Sequence, residues 1–348
     1  MTIPHRASPT PPGRAAACAG VGLERQARRL LRTALLSAGV TLLGCMQAPD
    51  LGAVQAERQK AVLHTDSFQS AASNGAVLAA GTAGGALVTS SDGGKTWARR
   101  LFASPASVIA LSTCPDGSFV GIDFYRKVWI GDSAAKNWVA HPTDPAVNPL
   151  AVTCDAAQRI WVAGSNTTLL SSADHGKTWK TTKLGGDAML TTIQFIDERH
   201  GVSTGEFGIV MTTDDGGATW TRQTPIPEDF YPYSTVFTDA RHGWTSGLGG
   251  VIQHTTDGGK SWTPQENHSG APMYTLLHQG GEVYGLGGGG AMVVLRGDEW
   301  VRFDHGLQLP AYLAAGAVLN PQSLLVAGAA GALHVVAAPG RLSVAAHQ

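Results

Sequence analysis

Tryptophan recurs in this chain at a fixed interval, and that interval constrains the fold more than any other feature. Trp97, Trp138, Trp179, Trp220, Trp262 and Trp300 are separated by 41, 41, 41, 42 and 38 residues. Four of them close the same octet: residues 90–97 (Ser-Ser-Asp-Gly-Gly-Lys-Thr-Trp), 172–179, 213–220 and 255–262. The shared pattern is Ser/Thr-x-Asp-x-Gly-x-Thr/Ser-Trp. Residues 131–138 are a decayed copy, and the stretch that ends at Trp300 keeps almost nothing of it. Four matches in constant phase define an internal repeat.

The octet reads as a hairpin turn. Asp92, Asp174, Asp215 and Asp257 can hold the backbone of a tight turn, and Gly supplies the positive φ. Trp97, Trp179, Trp220 and Trp262 then start the next strand and offer a large packing face between repeats. A calcium loop would need alternating oxygen ligands and a distal bidentate acid, which the octets lack. About ten residues upstream, Gly-x-x-Gly recurs at Gly81, Gly205, Gly247, Gly287 and Gly328, flanked by short apolar strands. No helix follows it, so it is not a nucleotide loop. Glycine, 44 of 348 residues, is poor material for long helices.

A period near 41 with four short strands per unit predicts an all-β fold, a seven-bladed β-propeller of four-stranded blades. Six units end in Trp, and a last unit, residues 312–338, lacks its outer strand. Residues 57–65 are expected to supply that strand, so that an N-terminal strand completes the last blade and closes the ring.

The first part of the chain is different. Six arginines and one acid precede an uncharged, mostly apolar run, residues 33–43, too short to span a bilayer. This reads as an export signal over residues 1–44, and Leu42-Leu43-Gly44-Cys45 resembles the lipobox of bacterial lipoproteins. Cys45 is then the lipidated N-terminus and the membrane anchor. Met46 rather than Asp follows it, which favours the outer membrane. Residues 45–56 are expected as a linker, 57–340 as the propeller and 341–348 as a tail. Without the leader the chain carries 19 Lys and Arg against 25 Asp and Glu, a poor balance for nucleic-acid binding. Cys114 and Cys154 fall at matching places in successive repeats, and the sequence does not decide whether they pair.

The octets are the Asp-box, or BNR repeat, of sialidase-type propellers. Units four and five go further. Phe195-x-Asp197…Gly201…Gly205-x-x-Gly208-Ile…Trp220 and Phe237-x-Asp239…Gly243-Trp244…Gly250-x-Ile…Trp262 resemble the photosystem II stability/assembly factor family. The resemblance implies a seven-bladed propeller that acts by binding other proteins outside the cytoplasm. It implies no cofactor. Unit two departs from the pattern, with Phe124-Tyr125-Arg126-Lys127 in place of Gly-x-x-Gly.

The alternative is an Asp-box glycoside hydrolase of sialidase type. The Phe/Tyr-Arg-Ile-Pro motif of sialidases is absent, and Asp123, Glu206, Glu228 and Asp229 are the carboxylates available for a generic pair. No close His-x-His or His-x-x-x-His pair with adjacent acids suggests a metal site, and His200 and His242, at the same repeat position, read as turn residues.

In a four-stranded blade, the turn between strands two and three and the link to the next blade open on one face, and the Asp-box turns on the other. The first face is where the repeats are irregular, and irregular loops on a rigid scaffold carry binding. Phe124, Tyr125, Arg126, Lys127, Glu206, Phe207, Phe230, Tyr231 and Tyr233 are the expected docking residues for a protein partner.

Overall fold

Short apolar runs bounded by glycine turns can hydrogen-bond only to their chain neighbours, and they do so here. The computed structural model describes residues 50–309 and 311–339. Six four-stranded antiparallel meanders and one three-stranded sheet follow in chain order, over residues 68–101, 108–142, 149–183, 194–222, 232–265, 273–302 and 313–337. These are the seven blades of a β-propeller. The first strand of each blade faces a central channel, and inner strands of neighbouring blades pack on one another round most of the ring, least at blade four. The leader with Cys45 and the tail, 341–348, lie outside the described residues.

The apolar residues are not pooled in one core. They form seven clusters, each made by two adjacent blades. Every periodic tryptophan sits in the cluster shared with the preceding blade: Trp138 between blades one and two, Trp179 between two and three, Trp220 between three and four, and so on. The Asp-box glycines explain why the repeat tolerates nothing larger. Gly94, Gly176, Gly217 and Gly259 have φ of 84°, 78°, 83° and 88°. A Cβ on Gly94 would come within 2.5 Å of Val335 in blade seven, and one on Gly217 within 2.5 Å of Trp161 in blade three. The turn is thus pressed against its neighbour.

Inside each box the same bonds recur. The Thr213 hydroxyl donates to Asp215 Oδ1 at 2.8 Å and accepts from the Gly217 N–H at 2.9 Å. Asp215 also accepts the Thr219 N–H at 2.9 Å and the Thr219 hydroxyl at 2.6 Å. Asp92, Asp174 and Asp257 repeat the set with Thr96, Thr178 and Ser261. In the decayed copy Asp132 substitutes the Lys136 N–H and the Asn137 side chain.

Closure differs from the expectation. Residues 57–65 form no strand, and blade seven has three strands among the described residues. Helix α1, Gly52–Arg58, occupies part of the stretch expected as a linker, and residues 59–65 are turns. The reason is local. Lys60 and His64 both bond the Glu57 carboxylate, and Asp66 accepts the Leu63 N–H at 2.8 Å, so the chain coils before entering blade one. Arg99 of blade one donates to both Asp66 oxygens, at 2.8 and 3.0 Å, and the Gly331 N–H of blade seven donates to the Asp66 carbonyl at 2.8 Å. The ring closes through this clasp and through a shared apolar cluster in which Phe68, Leu78 and Val88 meet Ala315, Leu325 and Leu333.

Cys114 and Cys154 end the inner strands of blades two and three, with Cα atoms 5.0 Å apart, and form a disulfide across the blade boundary. Matching repeat positions on parallel neighbours bring them within the required reach. Blade four has the most broken inner strand: the Thr191 and Thr192 N–H groups both donate to the Thr204 carbonyl, which leaves only Gln194–Phe195 in regular pairing. A chain of hydroxyls, Thr192–Thr204–Thr235–Thr245, each step 2.8 Å, ties that blade to the fifth.

Hydrogen bonds from Thr219, first its hydroxyl and then its N–H, hold the Asp215 carboxyl down to about 2, from an ordinary 3.8. The other box aspartates are lowered by the same donors. A depressed carboxylate stabilises the fold above its unfolded pKa and loses that contribution as pH falls through the folded value. The melting temperature of the wild type should therefore drop as pH falls from about 4 to about 2. Replacing Asp92, Asp174, Asp215 and Asp257 together by Asn should flatten that drop. An equally steep profile in the variant contradicts the role assigned to the boxes.

Candidate functional site

The face opposite the Asp-boxes is built from two kinds of backbone. In blades four to seven the Gly-x-x-Gly turn uses two successive positive-φ residues: Phe207 (58°) and Gly208 (69°), Gly249 (69°) and Gly250 (82°), Gly289 and Gly290, Ala330 and Gly331. The second must be Gly because the next link passes close by: a Cβ on Gly208 would lie 2.2 Å from the Ile226 carbonyl. The first points outward and accepts a side chain, which is how Phe207 comes to be 63% exposed. Blade two solves the turn differently. The fully buried Asp123 accepts the Tyr125 and Lys127 N–H groups at 2.8 and 3.0 Å, and only Arg126 takes positive φ, 61°. Phe124 and Tyr125 are left standing out, 71% and 49% exposed, ring edge to ring face.

Other expected residues are committed elsewhere. The Lys127 ammonium lies 3.2 Å from Asp123, bonds the Pro105 carbonyl and sits 5.1 Å over the Trp129 ring. Arg126 Nε donates to Asn148 at 3.0 Å. Phe230, expected on the face, turns inward instead and is buried. Positive φ at Glu228 and Asp229 reverses the link, and the ring fills the hollow over Gly247, where a Cβ would lie 2.5 Å from it. Glu206 accepts the Met189 N–H at 2.8 Å. Asp123 also receives the Trp129 indole N–H at 2.9 Å, so this carboxylate, one of four available to a hydrolase, is fully engaged in its turn.

Two cavities meet on this face. The channel, about 280 Å³, is lined by successive residues of all seven inner strands. Its outermost row is Gln69, Ile109, Leu150, Thr191, Tyr233, Tyr274 and Ala314. A second hollow, about 560 Å³, lies between blades two and four and is bounded by Phe124, Tyr125, Arg126, Asn148, Pro149, Leu150 and Met189. Leu150 belongs to both, so the hollow adjoins the channel mouth. Across the mouth, Tyr231 and Tyr233 join Tyr274 and Tyr312 in a continuous series of ring contacts. Tyr274 and Tyr312 were not among the expected residues. The legible signal is their register: Pro232, Met273 and Leu313 all pair with the first glycine of a Gly-x-x-Gly, and these tyrosines flank those positions. Burial first, then the Glu206 carboxylate, raises the Tyr231 phenol above its usual pKa, and burial does the same for Tyr233. Both rings are therefore neutral at physiological pH.

His200 and His242 are turn residues, each with its N–H and ring on Asp197 or Asp239. Among the described residues no group of three His, Cys, Asp or Glu is placed to hold a metal ion, and no helix is long and apolar enough to cross a membrane.

Fold and site together define an Asp-box propeller whose aromatic groups gather on the face away from the boxes. Residues 179–273 match the family model of photosynthesis system II assembly factor YCF48, a span that runs from the Trp of unit three to the inner strand of unit six. Over that span the chain resembles the photosystem II assembly factor family, and the fold around it is a β-propeller. It is similar to the structure of a YCF48 bound to a D1 peptide, at 16% identity and a TM-score of 0.66 over 79% of this chain and 94% of that one. It is likewise similar to YCF48 from Cyanidioschyzon merolae, at 17% identity, TM-score 0.64, over 80% and 97%. Virginiamycin B lyase from Staphylococcus aureus shares the fold, at 13% identity and TM-score 0.68 over 81% and 99%. No curated protein matches the chain.

The two phenylalanines separate packing from exposure. Phe230→Ala should lower stability by about 3–5 kcal/mol in urea denaturation, as for other buried Phe. Phe207→Ala should change it by no more than about 0.5 kcal/mol. Equal losses contradict the burial described.

Proposed function

We propose that this chain is a non-catalytic, periplasmic protein-binding propeller, an assembly or accessory factor for a membrane or envelope complex. It is held to the outer membrane by a lipid on Cys45. The observation that carries the reading is the exposure of Phe124 and Tyr125 over a hollow that adjoins the channel mouth, with Phe207 exposed on the same face. Exposed aromatics on a rigid rim lose little side-chain entropy on binding, and such residues dominate interface energetics. That a YCF48 of the same fold has been seen with a D1 peptide supports a peptide or protein as the ligand class. The Cys114–Cys154 disulfide supports an oxidising compartment. The acidic balance after the leader speaks against nucleic acid.

Replacing Phe124, Tyr125 and Phe207 together by Ser should abolish cross-linking to the partner in envelope extracts while the melting temperature holds. Retained cross-linking overturns the face assignment. Separately, Cys45→Ala should abolish fatty-acid labelling and move the protein from the outer-membrane fraction to the soluble periplasm. A labelled or cytoplasmic variant contradicts the anchor.

A further inference from the structure

The mouth has two chemically different halves. On the side of blades five to seven the ring centres of Tyr231 and Tyr233 are 6.0 Å apart, those of Tyr233 and Tyr274 5.4 Å, and those of Tyr274 and Tyr312 5.9 Å. The planes are inclined by 64°, 52° and 70°, so this is an arc of tilted rings and not a stack. Glu206 lies close enough to act on the Tyr231 phenol, and Glu228 and Asp229 are exposed on the link that carries Tyr231. Of the rim cations, Lys127 is paired with Asp123, while Arg126, bonded to the neutral Asn148, keeps its charge on the opposite side of the mouth, one cation against the three carboxylates of Glu206, Glu228 and Asp229. Electron-rich ring faces and unneutralised carboxylates make one side of the mouth a place for positive charge. The other side is a mostly apolar hollow of about 560 Å³ under Phe124, Tyr125, Pro149, Leu150 and Met189, with Arg126 and Asn148 on its edge.

Building on the docking role above, we propose that the mouth takes an extended, positively charged peptide segment. A Lys or Arg of that segment sits on the tyrosine arc beside Glu206, and an apolar side chain fills the hollow under Phe124 and Tyr125. The channel offers about 280 Å³, room for side chains and not for a folded domain. An extended chain lying over the opening lowers individual side chains into it instead. Charge complementarity selects the partner: an acidic segment meets the carboxylates, and a nucleic acid meets them more strongly still.

Fluorescence polarisation with the whole propeller tests this, using a labelled Gly/Ser peptide that carries one Leu and a pair of Arg, and the same peptide with Gln or Glu at the Arg positions. The Arg peptide should bind, lose affinity with added salt, and outcompete the Gln and Glu peptides. Tyr233→Leu with Tyr274→Leu should weaken it about tenfold, the scale of a partly desolvated cation–π contact. Tyr233→Phe with Tyr274→Phe, which keeps the ring faces, should hold within about twofold. Unchanged melting temperatures show that the variants fold. Equal or tighter binding of the Glu peptide, no loss in the Leu variant, or no binding by any of the three overturns the proposal. The docking face itself fails if the Phe124, Tyr125 and Phe207 variant keeps its envelope partner, whatever the peptides do, so the two readings fall separately.

Discussion

Everything in this molecule rests on packing between neighbouring blades. No blade has an apolar core of its own; each buries one side against the blade before it and the other against the blade after. Such an arrangement is stable only as a closed ring, because any open end leaves a full apolar sheet face in water. The boundary between blades seven and one is therefore the critical one. Phe68, Leu78 and Val88 against Ala315, Leu325 and Leu333 provide it, with Trp97 and Val335 at its rim. Asp66 clamps it from outside by joining Arg99 to Gly331. The disulfide adds a covalent tie at one other boundary, between blades two and three.

The Asp-box serves this packing. Its carboxylate is consumed by the turn it organises, and its glycine lets that turn press on the preceding blade. With one face given over to repeated turns, variation collects on the other. There a single departure from the repeat, the Asp123-centred turn of blade two, changes the surface: it replaces a flat glycine turn with two projecting aromatic rings. A rigid ring that presents irregular loops is the arrangement through which propellers and other scaffolds bind without moving.

Fold and repeat were legible because the tryptophan spacing and the Asp-box recur at constant phase, and phase survives the loss of individual residues. The site was legible only in part. Phe124, Tyr125 and Phe207 sit where the turn pattern puts them. Phe230 does not, because whether a link residue points out or in depends on the hollow above Gly247, a feature of another strand. Tyr274 and Tyr312 join Tyr231 and Tyr233 only once the blades are closed into a ring, a relation between residues 38 to 81 positions apart in sequence. Closure itself misled in the same way. Residues 57–65 were free to be a strand on paper, but Glu57, Lys60 and His64 satisfy one another locally and the chain coils.

The central claim is that partners meet the aromatic face around the channel mouth and not the Asp-box face. Site-specific photocross-linking decides it most directly, with a benzophenone side chain placed at Phe207 on one face and at Thr219 on the other. The account predicts partner adducts from position 207 and none from position 219. Adducts from position 219 with none from 207 would contradict it.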